Sequence, residues 1–326
     1  MSIAFNKALV TGGAGFIGSH LVEALVAEDC EVIVLDNLSS GRLSNLEPLK
    51  DRITFYQGDI REREALDIAA KGCAVIFHLA AVVAVQQTID HPVESAKVND
   101  IGTLNVLETA RANNAQRVVL SSSCAVYGDD PRLPKTETMT PKPTSPYAVH
   151  KLSAEHHARI YSELYGLKTV SLRYFNVFGP RQDPASPYSG VISIFMTRAV
   201  LNQAPLIYGD GNQTRDFVYV KDVVNANLLA AGMNDPQGSI FNIGTGSQVT
   251  INRLWELIAS LSGASNQPGY KPARDGDILH SFAGMDYTKS VLKFNPDVSL
   301  EQGLDMTFEW YRGQVTDDRG GQGTEG

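Results

Sequence analysis

Long apolar runs are missing from this sequence of 326 residues. None approaches the ~20 residues needed to cross a bilayer, so a transmembrane helix is excluded. Cysteine is scarce: Cys30, Cys73 and Cys124 are odd in number and widely spaced. They fit neither a disulfide framework nor a metal-ligand spacing, and no metal site is expected. Each reads as a small buried apolar side chain, and a reducing cytoplasm is the expected setting. Positive charge is in deficit, with 28 Lys and Arg against 36 Asp and Glu and a net charge of −8. A general nucleic-acid or anionic-membrane surface is thereby excluded, because both need basic patches. An anionic substrate requires a few Arg or Lys residues to converge locally. The opening MSIAFNKALVTGG lacks the charged, apolar and small-residue sections of a signal peptide and leads straight into a strand and turn. With 43% hydrophobic and 20% charged residues, the chain has the composition of an ordinary soluble globular protein of one large domain or two associated ones.

What the sequence does contain is alternation. Strand-like runs fall at residues 7–11, 31–36, 53–59, 74–80, 117–123 and 168–175, with amphipathic helical patterns between them. Such alternation predicts an α/β fold, a doubly wound parallel sheet of the Rossmann type. The strands are apolar almost throughout, as burial on both faces demands. After residue 176 the pattern turns irregular, with Pro180, Pro184 and Pro187 marking a loop-rich insertion. Short strands are expected at 205–209 and 216–220, a helix from near Lys221, and a strand at 240–244 that returns to the first sheet. The expected division is a dinucleotide-binding domain, 1–176 plus about 219–246, and a smaller discontinuous α/β domain, about 177–218 plus 247–313. The Gly-rich, polar residues 314–326 are expected to be a disordered tail.

The run KALVTGGAGFIGSHLVEAL sets Gly12, Gly15 and Gly18 between a strand and a helix. Gly12 permits the tight turn, Gly15 lets a pyrophosphate approach the backbone, and Gly18 lets helix and sheet pack closely. The amides at the helix N-terminus then hold the anion. Asp36 ends the second strand about 20 residues later, as the dinucleotide fingerprint requires. Its carboxylate can accept hydrogen bonds from both ribose hydroxyls and would repel a 2′-phosphate, so NAD is expected over NADP. Asp59 is placed to contact adenine.

Tyr147 and Lys151 lie four residues apart, on one face of a strongly helical segment. A tyrosine titrates near ~10, and a neighbouring ammonium and an oxidised nicotinamide would favour phenolate and lower that value. Lys151 can also reach the nicotinamide ribose. Ser123 ends the strand RVVLSSS, at the carboxyl edge where doubly wound sheets bind ligands. Its hydroxyl can bind a sugar oxygen that gains or loses a proton.

Together TGGAGFIG, LDNLSSG, GDI, HLAA, SSSCAVYG, SPYAVHK, LRYFNVFGPRQDP and RDFVYVKDV resemble the extended short-chain dehydrogenases that act on nucleotide sugars. The resemblance runs from residue 7 to about 312 and is strongest to the UDP-glucose and UDP-N-acetylglucosamine 4-epimerases. It implies a catalytic trio of Ser123, Tyr147 and Lys151. It implies NAD contacts from Gly12, Gly15, Phe16, Ile17, Gly18, Asp36, Asn37, Ser40, Gly41, Asp59, Ile60, Leu79, Ala80, Ala81, Asn99 and Tyr174, besides the trio, with Phe175 also beside the nicotinamide. For a UDP-sugar it implies Asn176 at the phosphates, Val191 covering the nucleotide, Leu206 and Tyr208 flanking uracil, and Gly190, which has no side chain, enlarging the wall of the pocket at C2′. Arg215 and Arg274 correspond to a diphosphate clamp and Asp277 to a uridine-ribose contact. Guanidinium groups bind phosphate bidentately, so such a clamp suits an acidic chain. Ser281 stands where members restricted to plain hexoses carry Tyr, implying room for an N-acetyl group.

The implied activity is NAD-dependent 4-epimerisation of UDP-hexoses through a 4-keto intermediate, plain and N-acetylated alike, by a homodimer. Ala125, Val83 and Gly284 depart from frequent Thr, Lys and Asp. Dehydratases and decarboxylases of the same group carry carboxylates just after the serine or threonine of the trio, where this chain reads Ser123-Cys124-Ala125. A UDP-glucuronate 4-epimerase or decarboxylase, or a non-catalytic NAD(H) sensor, remains the alternative reading.

Overall fold

Residues 3–183, 190–273 and 278–320 are described by a computed structural model of the chain. The first half runs β1 (Lys7–Thr11), α1 (Phe16–Ala27), β2 (Glu31–Asp36), β3 (Ile53–Gln57), α2 (Arg63–Ala69) and β4 (Val75–His78). It continues with α3 (Val85–Asp90), α4 (Pro92–Ala96), α5 (Gly102–Ala112), β5 (Arg117–Ser123), α6 (Pro146–Tyr165) and β6 (Lys168–Tyr174). Then follow β7 (Asn176–Phe178), α7 (Val191–Val200), β8 (Leu206–Tyr208), β9 (Thr214–Arg215), β10 (Phe217–Tyr219) and α8 (Val220–Gly232). Last come β11 (Ser239–Ile243), β12 (Val249–Thr250), α9 (Ile251–Ser262), β13 (Gly269–Lys271) and α10 (Leu300–Gly320).

Seven of these strands form one sheet in the order β11-β6-β5-β4-β1-β2-β3. Every pairing in it is parallel, so each connection crosses over a face and buries both sides of the sheet. One core packs Val10, Val34, Phe77, Val119 and Leu172 against α1 and α8. The other packs Leu9, Ile33, Ile76, Val118 and Leu120 against α2, α5 and α6. This is the doubly wound, Rossmann-type fold expected, and β11 returns to it as the late apolar run implied. The order reverses between β1 and β4, so the crevice at their carboxyl ends is the place where such sheets bind ligands.

A third core gathers Phe178, Phe195, Ile207, Tyr219, Trp255, Leu304 and Phe308 from α7 to α10 and the short strands. Here the strands pair only in twos: β7 with β10, β9 with β12, β8 with β13. Among the described residues, no helix is long and apolar enough to cross a membrane. Helix α10 runs on through residues 314–320, where composition had suggested a disordered tail.

Candidate active site

The glycine turn has the shape its composition implied. Gly12 adopts φ +72°, the left-handed region, and a Cβ there would lie 2.7 Å from the Ala80 nitrogen. A Cβ on Gly18 would lie 2.1 Å from the Gly12 oxygen, so α1 can approach the turn only through glycine. Gly15 caps α1 with no side-chain hydrogen bond, leaving the first amides of the helix, at Phe16 and Ile17, for an anion. Asp36 is buried at the end of β2 and accepts from the Ala14 amide at 3.0 Å and the Leu38 amide at 2.8 Å. Burial raises its pKa against those two bonds. Gly41 lies against the same carboxylate, where a Cβ would come within 2.9 Å of both oxygens. Asn37 and exposed Ser40 belong to this loop, and Asn37 Nδ2 donates to Asp59 at 2.8 Å. Asp59 is also held by the amide and guanidinium of Arg61, which keep it at about 2. Ile60 packs beneath Gly102.

Across the switch point, Leu79, Ala80 and Ala81 follow β4. A directed chain of hydrogen bonds, unread in the sequence, fixes this loop. Thr103 donates to the Asn99 carbonyl at 2.6 Å, so its oxygen accepts from His78 Nε2 at 3.0 Å, and His78 Nδ1 accepts from Thr11 at 2.8 Å. Burial pushes the imidazole down to about 3, so the ring is neutral and its Nδ1 is the acceptor. Asn99 in turn accepts from the Val82 amide at 2.8 Å and donates to the Val82 carbonyl at 2.9 Å. Its amide nitrogen also lies 3.3 Å from His150 Nδ1, so the side chain ties this loop to α6. The available signal was the His of the HLAA motif, a polar residue ending an apolar strand.

The trio converges at the carboxyl end of β5. Ser145 caps α6 by accepting from the Ala148 amide at 3.2 Å, Pro146 starts the first turn, and the Tyr147 amide donates to Thr88 at 3.2 Å. These contacts fix where the helix begins, and hence where Tyr147 and Lys151 stand. Ser123 Oγ accepts from the Ala125 amide at 3.2 Å, and the Ser123 hydroxyl acts on the Tyr147 phenol in the direction of a lower pKa. Lys151 is buried, donates to the Ser121 carbonyl at 2.7 Å, and lies 5.8 Å from the Tyr147 ring centroid. Burial pushes the ammonium down to about 8. It pushes the phenol up to about 12, against the nearby Ser123 hydroxyl; the lowering expected from the sequence counts on an oxidised nicotinamide as well as on Lys151. Desolvation of a neutral site outweighs a lysine at this distance, so activating the phenol needs an added positive charge nearby.

Tyr174 and Phe175 are buried beside the trio, and Ser123 pairs with Tyr174 across β5 and β6. The Tyr174 hydroxyl is bonded to Asn227 at 3.0 Å, within the core. Asn176 lies half-buried on β7, Gly190 caps α7 and Val191 begins it. Leu206 and Tyr208 share one side of β8, partly exposed. Arg215 donates to the carbonyls of Thr214 at 2.9 Å and Leu279 at 3.3 Å, and the Ser281 amide donates to the same Thr214 carbonyl at 3.3 Å. Arg215 and Ser281 therefore share one corner. Arg274 and Asp277 lie outside the described residues. A residue overlooked in the sequence holds this corner: buried Asp216 accepts from the Thr245 amide and hydroxyl, the Gly246 amide and the Ala283 amide. A carboxylate inside the apolar run DFVYV was its signal. Gly284 is also accounted for, because a Cβ there would lie 2.8 Å from Thr136 Cγ2.

Residues 8–244 match the family described as the NAD dependent epimerase/dehydratase family. The UDP-glucose 4-epimerase of Mycolicibacterium smegmatis is 39% identical over 94% of this chain and 98% of its own. Among solved structures, the UDP-glucose 4-epimerase of Thermotoga maritima with UDP-glucose is 41% identical, with a TM-score of 0.91 over 95% of this chain and 99% of that one. The UDP-N-acetylglucosamine 4-epimerase of Methanobrevibacter ruminantium, in complex with UDP-N-acetylmuramic acid, is 39% identical with a TM-score of 0.91, covering 96% and 100%. A glycine turn and buried carboxylate at the switch point, a Ser–Tyr–Lys constellation beside them and these likenesses agree: the chain belongs to the NAD dependent epimerase/dehydratase family.

Proposed function

We propose that this protein is an NAD-dependent UDP-hexose 4-epimerase that accepts plain and N-acetylated hexoses. The observation that carries the reading is the convergence of Ser123, Tyr147 and Lys151 with no carboxylate in Ser123-Cys124-Ala125. A carboxylate there would protonate a leaving hydroxyl or assist the loss of carbon dioxide, and inversion at C4′ calls for neither.

NAD fits the cradle, since glycines stand where any Cβ would meet backbone, and Asp36 keeps lone pairs beyond its two amide bonds. The α1 N-terminus would hold its pyrophosphate, Asp36 its adenosine ribose, and Lys151 its nicotinamide ribose. When bound, it supplies the reversible two-electron oxidation at C4′. Tyr147 takes the proton of the 4′-hydroxyl and returns it after the ketohexose has turned its other face. Ser123 hydrogen-bonds the same oxygen and orients the phenol, and the Lys151 ammonium favours phenolate. Arg215, with Arg274, neutralises the diphosphate while the hexose rotates.

Substrate breadth rests on Ser281, buried in the corner it shares with Arg215. A serine leaves room beside C2′ that a phenol ring would fill. Incubation with UDP-glucose, UDP-N-acetylglucosamine and UDP-glucuronate, with products resolved by NMR, tests the reaction. C4′ inversion of the first two is expected, and inversion of the glucuronate alone would overturn the reading. Ser281→Tyr is expected to suppress the N-acetylated reaction while sparing UDP-galactose, because the clash is specific to the C2′ substituent. If both reactions respond equally, Ser281 does not set the breadth.

A further inference from the structure

Behind the trio, on the α6 side of the sheet, lies a buried ion pair for which the mechanism has no use. Glu155 and Arg173 have side-chain exposures of 1% and 2%. The guanidinium grips the carboxylate with two bonds, Nε at 2.8 Å to Oε1 and Nη2 at 2.7 Å to Oε2. Ser122 donates a short bond to the same Oε1. Arg173 also lies over the Tyr127 ring, 4.8 Å from its centroid, and the Tyr127 hydroxyl donates to Asn242 of β11 at 2.6 Å.

The placement of these residues is regular. Tyr147, Lys151 and Glu155 are spaced by four along α6, so they form one stripe facing the sheet. Ser122 and Arg173 are partners across β5 and β6, and the next pair in the same register is Ser123 and Tyr174. Strand side chains alternate, so the network grips the sheet from the side opposite the serine that meets Tyr147. One carboxylate thereby joins the three elements that carry the site, one helical turn from Lys151 and two from Tyr147, through strand residues next to Ser123 and Tyr174.

Energetics argue against a purely stabilising role. Two charges taken out of water cost several kcal/mol each, and apolar side chains of similar volume often serve stability as well or better. What an ion pair adds over an apolar filling is one allowed register, since a two-bond fork tolerates neither sliding nor rotation of the helix. We propose that Glu155, through its bonds to Arg173 and Ser122, is a positioning residue that sets the rotation and height of α6, holding Tyr147 and Lys151 at working distance from Ser123. Glu155 also acts on charge, being the group that holds up the proton affinity of Lys151 against burial.

The inference rests on the epimerase reading and is tested within it. The Glu155→Met/Arg173→Met double variant fills the same space without charge and is compared with the unaltered enzyme for folding, retained NAD, kcat and KM on UDP-galactose. Positioning predicts a folded protein that retains NAD and has KM within about twofold, but kcat reduced about tenfold or more, because small misplacements of reacting groups are costly. A folded double variant with unchanged kcat overturns the proposal, and so does one whose losses lie in KM alone. Should the double variant not fold, Ser122→Ala decides, since it removes one donor and leaves the pair. A kcat lowered about threefold or more at constant KM supports positioning, and an unchanged kcat refutes it. Inversion by the unaltered chain is the control: its absence overturns the epimerase reading and this inference with it, whereas equal rates in both proteins overturn this one alone.

Discussion

At the scale of single residues, burial sets the chemistry of the site. Tyr147 is held protonated by its surroundings, so the phenol becomes a base only when Lys151 and a bound cationic ring oppose the desolvation. Tyr147→Phe keeps the ring and removes the hydroxyl. Turnover is expected to fall at least ~10²-fold with folding and bound NAD intact. Near-normal rates in a progress curve would refute the assignment. The histidines make a second prediction. His78 is pushed down to about 3 and His20 to about 4 from an ordinary 6.5, both by burial. Each ring binds its proton less readily folded than unfolded. Stability is therefore complete above about 6.5 and is lost as pH falls, until the folded values are reached. Each ring contributes on the order of 1.4 kcal/mol per pH unit within that window. Urea unfolding at about pH 7 and about pH 5 should show the loss, with a shallower slope for His78→Gln. Equal stability at the two pH values would mean that the rings protonate without unfolding the chain.

At the scale of elements, legibility in the sequence followed burial and length. β1, β2 and β5 end where the apolar runs end, because parallel strands covered on both faces must be apolar throughout. β3 stops at Gln57, short of the predicted Asp59, because an edge strand with exposed alternate positions ends where pairing ends. α3, α4 and the widened turn at Lys97–Ile101 were not read, since short helices bury too little to impose a period. The paired strands β12 and β13 were equally silent, and their partners come from distant sequence. The glycine turn and the Tyr147–Lys151 pair were legible because their spacing is local, and Ser123 because it ends an apolar strand. Asp216 and the His78 chain were not, because their partners are assembled only by the fold. The start of α6 makes an element-scale prediction. Ser145 caps the helix that carries Tyr147 in its first turn, so Ser145→Ala is expected to cost about 1 kcal/mol of stability. The frayed turn should lower kcat as well. Chemical unfolding and steady-state rates measure the two losses, and a variant as stable as its parent would show that Pro146 and the Thr88 contact suffice.

At the scale of the molecule, the surface is uneven. The site lies at the carboxyl end of the seven-stranded sheet, while apolar side chains gather elsewhere, on the layer formed by α3 to α6. Val85, Ile89, Val93, Ile101, Val149 and Leu164 are 43–68% exposed there. Scattered exposed aliphatics are ordinary, but a run of them along neighbouring helices is a surface that water covers poorly. α5 and α6 lie side by side at the heart of this layer. A second copy related by a twofold axis would set its own pair against them, making an intermolecular four-helix bundle that covers part of this apolar surface. The resemblance to epimerases implied such a homodimer, and the exposed stripe gives it a physical reason. Dimerisation would also brace the helix that holds Tyr147 and Lys151 from the side opposite the sheet. Sedimentation equilibrium at micromolar concentration is expected to return twice the 35.4 kDa chain mass. Val149→Glu, with Ile101→Glu in the same chain, places charges on the buried seam and should return the monomer mass. A monomer in the unaltered protein would leave the stripe without this explanation. A dimer that ignores both glutamates would move the interface to another face.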